Sequence, residues 1–140
     1  MTHRPVWGIL QGKDREFDVE NATYAASSGD ALNADYARVL SGHIHAAETI
    51  AFDETSERRP QLISGNAGTA LDDIPTASPT AGELGDPAVT QADTLSAFGY
   101  MTMEPEGDVW IATQRDKHGN PLLDCVLDAT TLRCGSSAAD

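Results

Sequence analysis

The sequence predicts an α/β chain, rich in β-strand, with one main helix and a closing β-hairpin. Three observations predict it. Short apolar runs bounded by glycine, proline or asparagine recur through most of the chain. A single stretch, residues 31 to 38, has a helix cap and helical apolar spacing. A strand–helix–strand order at the start, its first strand cut short, then gives way to strands alone.

Each element has its own signal. Residues 1 to 12 read as the end of a strand running into a loop, because Pro5 cannot sit inside a helix and Gly8 and Gly12 punctuate the run. Residues 13 to 30 are polar and turn-rich. Asp30 is a suitable N-cap for the helix over 31 to 38, which sets Leu32 and Tyr36 on one face. Residues 38 to 45 read as a short buried strand breaking at Gly42. Strands are predicted over 49 to 52 and 61 to 64, with a charged turn from 53 to 59 between them. Residues 75 to 92 lack periodicity and read as a long loop. Strands over 98 to 103 and 108 to 113 then flank a hairpin turn, Glu104-Pro105-Glu106-Gly107. A last strand over 121 to 127 follows the turn at 117 to 120, and residues 135 to 140 read as a flexible tail. No internal repeat is evident.

Composition narrows the classes of function. The chain has 140 residues, enough for one domain with a modest core. No apolar run approaches the ~18 residues that cross a bilayer, so no membrane segment is expected. Its 22 acidic residues against 9 basic ones give a formal charge of −13. Such a surface repels phosphate backbones, so no nucleic-acid patch is expected. Arg58 and Arg59 form the only basic cluster and read as a solvated turn. If the substrate is a phosphate ester, metal ions must supply the neutralising charge. The start lacks a signal-peptide pattern, which leaves a cytoplasmic protein or one whose address lay upstream. Cys125 and Cys134 are wrongly spaced for a zinc site; free buried thiols and a short disulfide, which implies an oxidising compartment, both remain open.

The chemistry-bearing signal is Ser41-Gly42-His43-Ile44-His45 at the end of the buried strand. Two imidazoles two residues apart project toward one region, and Gly42 lets the backbone turn beside them. Imidazole is the commonest ligand of zinc-, iron- and nickel-class ions. The continuation Ala46-Ala47-Glu48 departs from the His-x-His-x-Asp-His of metallo-β-lactamase-like hydrolases. Cupins fail as well, since Glu48 stands too near and His118, in a Lys-His-Gly-Asn turn, is the only later histidine.

With Gly42-His43-Ile44-His45 after a strand, and Thr2-His3-Arg4-Pro5-Val6-Trp7 forty residues upstream, the chain resembles the calcineurin-like metallophosphoesterases of the purple-acid-phosphatase type. The segment Leu62-Ile63-Ser64-Gly65-Asn66-Ala67-Gly68-Thr69 resembles that family's next strand and glycine turn. The likeness is close over residues 1 to 72 and looser over 97 to 134. It implies a partial metallophosphoesterase β-sandwich, the C-terminal half of the domain plus its closing hairpin. It also implies a hydrolase acting on phosphate mono- or diesters through metal-activated water. His3 and His43 would ligate one metal and His45 the other, in a centre that holds two divalent or trivalent ions of the zinc, iron and manganese class.

The family's carboxylate motifs are missing. There is no opening Asp-x-His motif, no bridging Gly-Asp-x-x-Asp and no Gly-Asn-His-Asp. Gly29-Asp30 makes better sense as the helix cap, and Gly65-Asn66 as a turn. Without a bridging carboxylate two dications repel each other, so at most one weakly held metal and little turnover are expected of this chain alone. A metal ligand two residues from a free terminus suggests polypeptide missing upstream, namely the N-terminal half of the domain. Two other readings stand beside this one: a non-catalytic remnant or binding module, and a single-metal protein using His43, His45 and Glu48. Trp7 is better placed for a site role than Trp110, although both read first as core or rim aromatics, and His118 reads as a turn residue. Export to the periplasm or beyond is slightly favoured, by relatives with a similar His-Arg-Pro-x-Trp segment and by the cysteine pair.

Overall fold

The computed structural model describes residues 1–11, 17–18, 23, 26–27, 36–68, 70–74 and 78–137. In chain order the elements are β1 (Leu10–Gln11), β2 (Phe17–Asp18), β3 (Val39–Ser41), β4 (Ala47–Phe52) and β5 (Gln61–Ser64). They continue with α1 (Ala81–Leu84), β6 (Val89–Leu95), β7 (Gly99–Glu106), β8 (Val109–Asp116), β9 (Pro121–Leu127) and β10 (Leu132–Ser136). Two four-stranded sheets dominate, ordered β3-β5-β4-β6 and β10-β9-β8-β7, with β1 and β2 as a small separate ribbon.

The first sheet is mixed. β3 and β5 run parallel, while β4 pairs antiparallel with both β5 and β6. Thr2 adds a parallel bridge to Ser41 on the outer side of β3. The second sheet is an antiparallel meander, each strand beside its neighbour in sequence.

Side-chain alternation gives the first sheet two buried faces. From one face, Ala51 and Leu62 pack on Ala112, Leu123, Cys125, Leu127 and Leu132 of the meander. From the other, Ile50 and Phe52 join Val39, Val89, Leu84 of α1, and Val6, Trp7 and Ile9 of the N-terminal segment. Each buried Val, Leu, Ile or Phe among them stabilises the fold by roughly 1.5–3 kcal/mol.

The N-terminal segment crosses that second face without strand pairing, so its backbone needs other partners. Two buried polar side chains supply them. Gln61 Oε1 accepts the N–H groups of Val6 and Trp7 at 3.0 and 3.1 Å, and its Nε2 donates to the Trp7 carbonyl. Glu48 Oε2 accepts the Ile9 N–H at 2.8 Å, while Glu48 Oε1 has no hydrogen-bond partner. Burial pushes the Glu48 carboxyl up to about 8.

The β-rich class and the strands over 61–64 and 121–127 agree with the sequence reading. Several expectations need correction. The helix over 31 to 38 falls largely outside the described residues, as do Asp30 and Leu32; residues 36–38 are not helical. Within 75 to 92, where a long loop is expected, residues 75–77 are outside the described residues, but α1 and the start of β6 follow. A capping box between Thr80 and Glu83 starts α1, and Gly85, left-handed at φ 66°, ends it. β7 runs on through Pro105, which an edge strand tolerates, so the hairpin turn narrows to Gly107-Asp108. The tail is ordered to Ser136 by β10, and 138–140 lie outside the described residues. Arg58 is no solvated turn residue: it grips both Asp86 oxygens at 2.6 and 3.0 Å and lies 4.2 Å over the Phe52 ring. Trp7 is core, as it first reads, and packs edge-on against Phe52, whereas Trp110 is exposed. Of the two cysteine readings the disulfide holds: Cys125 and Cys134 stand opposite each other on β9 and β10 and are bonded.

Candidate metal centre

Parallel pairing at the outer edge of the first sheet brings His3 and His43 together. Thr2 donates its N–H to the Leu40 carbonyl, and Gly42 donates to the His3 carbonyl at 3.2 Å. This register lays His3 beside the end of β3, although forty residues separate it from His43. His3 Nε2 lies 3.2 Å from His43 Nδ1, with the rings edge to face.

The chain turns sharply after β3. Ile44 donates its N–H to the Gly42 carbonyl at 2.9 Å, which closes a γ-turn centred on His43. His43 takes φ 70°, the only described non-glycine residue with positive φ. Strain of this kind persists only where the surroundings over-determine it. Here the clamp is close packing: a Cβ on Gly65 would sit 1.8 Å from the Ile44 carbonyl oxygen, so glycine is required for that approach. Ile44 itself is anchored with Ala46, Ile63 and Ile74 in a small buried cluster beneath the turn.

His3, His43 and His45 line one open cleft of about 450 Å³ together with Gly65, Ala67 and Gly68. Partial desolvation, then the charges of Arg4, His3 and His45, hold the His43 imidazole below its ordinary value; Asp72 opposes them. The shift favours the neutral ring, the form that a ligand requires. Asp72 clasps His45 twice: its Oδ2 accepts the His45 N–H at 2.8 Å, and its own N–H donates to the His45 carbonyl at 3.1 Å.

The residues fit a metal in part. Two imidazole nitrogens on one tetrahedral ion, each at about 2.0–2.1 Å, stand about 3.3–3.4 Å apart, close to the His3–His43 separation. A third ligand does not close on them: among the described residues, no group of three or more His, Cys, Asp or Glu side chains is placed to hold an ion. The single-metal set of His43, His45 and Glu48 is not assembled. Glu48 turns into the core to hold Ile9, and its side chain is 1% exposed. His118 sits in the β8–β9 turn, where Asp116 Oδ1 accepts its N–H. Asn66 is buried and donates to the Ala97 carbonyl, consistent with a turn role.

Asp72 escaped the sequence reading. It lies in Leu71-Asp72-Asp73 beyond the glycine turn, with no motif around it, and only the fold shows its contact with His45. The chain matches no protein-family model, no curated protein and no solved structure. Among the described residues no helix is long and apolar enough to cross a membrane.

Proposed function

We propose that the chain carries the histidine side of a metal-dependent phosphoesterase centre, whose carboxylate ligands lie on polypeptide outside these 140 residues. The observation that carries the proposal is the pairing of His3 with His43 at a separation suited to one shared ion. Beside them in the same cleft, His45 would face a second ion. A bound metal pair supplies charge neutralisation and an acidified water for attack on phosphorus. The chain's own residues hold two ring nitrogens together, favour a neutral His43 ring, and set the Arg4 guanidinium near the cleft, where it attracts an anionic ester. Elsewhere the acidic surface repels such an ester. The Cys125–Cys134 disulfide fits an oxidising compartment, and with it export.

A second reading, a binding module without chemistry, is favoured by the absence of a closed three-ligand set among the described residues. Elemental analysis after dialysis, run beside hydrolysis of an aryl phosphate, separates the readings. Up to one exchangeable metal, lost in His43→Ala, with negligible turnover supports the incomplete centre. Two tightly held ions with turnover would refute its incompleteness. No uptake at any metal concentration would leave the binding module.

A further inference from the structure

We infer that Asp72 is a positioning residue that fixes the ring of His45, so that its Nε2 is the nitrogen left bare toward the cleft. This rests on the metal-centre reading only for its purpose; the geometry stands without it. Asp72 and His45 are twenty-seven residues apart, yet joined by reciprocal backbone and side-chain hydrogen bonds. With Oδ2 committed to the His45 N–H, the other carboxylate oxygen, Oδ1, lies 3.8 Å from His45 Nδ1. That distance is too long for a hydrogen bond, so the effect is electrostatic. A carboxylate facing Nδ1 attracts an N–H dipole there and repels a lone pair. The ring is thereby held with its proton on Nδ1, against the usual preference of a free imidazole for Nε2–H. Nε2 then keeps its lone pair for a ligand. A carboxylate behind a metal-binding histidine serves in just this way, setting tautomer and ring orientation. At about 42% exposure for both side chains, the pair remains open to solvent, and the doubled clasp keeps the two together.

The test needs no metal. Long-range ¹H–¹⁵N correlation spectra of the uniformly labelled chain, in alkaline buffer, report which ring nitrogen is protonated. The expected result is the Nδ1–H form for His45. In Asp72→Asn the amide oxygen still accepts the His45 N–H, but the NH₂ now faces Nδ1, so the ring is expected to switch to Nε2–H. Nε2–H in the unmodified chain would overturn the assignment, as would an unchanged tautomer in a folded Asp72→Asn. A zinc titration of both proteins then separates this inference from the proposed function. The single ion shared by His3 and His43 is expected to bind both proteins alike, because Asp72 acts on His45 alone. The expected tautomers with no zinc uptake by either protein would sink the metal reading and leave the role of Asp72 standing.

Discussion

The meander and the N-terminal face solve the same problem in different ways. In β7 to β10 every strand pairs with its sequence neighbour, and a disulfide ties the last two. On the opposite side of the first sheet, residues 5 to 9 lack a ladder and rely on two buried side chains, Gln61 and Glu48, from strands 39 to 55 residues away. Local pairing needs little loop closure, whereas the N-terminal face forms only once the sheet exists. The histidine pair belongs to the second kind: His3 reaches His43 only through a parallel register. The site is thus built on the part of the molecule whose order depends most on distant contacts.

That difference is sharpest in its response to pH. The folded value of Glu48, about 8, lies above its unfolded value of 4.5, so the folded state holds the proton more tightly. Stability from this group is complete below about pH 4.5 and is lost as pH rises toward 8, at roughly 1.4 kcal/mol per unit and on the order of 4–5 kcal/mol in all. Urea unfolding between pH 5 and 9 should show this decline, and Glu48→Gln should flatten it, since the amide oxygen can still accept from Ile9. An equal decline in Glu48→Gln would place the titrating group elsewhere.

Next in size is Gln61→Leu, which leaves two backbone N–H groups and one carbonyl buried without partners. At about 1 kcal/mol for each of these unmade bonds, the lower end of the usual range, the cost should be about 3 kcal/mol. Hydrogen exchange should find the loss of protection at residues 6 to 9, with the meander amides nearly unchanged. Uniform loss across both sheets would show that the two regions unfold as one unit, and the contrast between them would fail.

The complementary change is in the meander. Replacing Cys125 and Cys134 together by alanine removes a link across nine residues. A loop of that size is worth about 2–3 kcal/mol in the chain-entropy account. Faster exchange should be confined to β9 and β10, leaving the His3–His43 contact intact. A shift of the His3 or His43 ring signals in this variant would contradict the separation of the regions.

The same division decides what could be read from the sequence. β5 and β9 were legible because an apolar run ends at a glycine or follows a turn with a proline, a signal held within ten residues. β6 was not: Val89-Thr-Gln-Ala-Asp-Thr-Leu95 mixes polar residues into both faces, and its burial comes from β4 and α1. α1 had a local signal, Thr80 with Glu83, but at four residues it lacks the helical apolar period. His3, His43 and His45 stood out as candidate ligands in short motifs. The backbone contacts of Glu48, Gln61 and Asp72 did not, since each accepts an N–H from a segment far along the chain. A polar residue in a strand gives no sign of this until the fold supplies its partner.

The smallest effect tests the turn at the site itself. His43 holds φ 70°, where a side chain is disfavoured and glycine is not. His43→Ala removes the imidazole but keeps the Cβ and hence the strain. His43→Gly removes both, against a gain in unfolded-chain freedom that partly offsets the relief. The glycine variant should therefore be the more stable of the two by about 0.5–1 kcal/mol, measured by urea unfolding at one pH. Both should lose metal uptake alike if the ring is a ligand. This ordering reverses the usual one for a chain position outside the left-handed region, where alanine is the more stable. Alanine above glycine would mean that the γ-turn relaxes once the imidazole is gone. The strain would then be imposed by contact between His43 and His3, and not by the packing of Gly65 against Ile44.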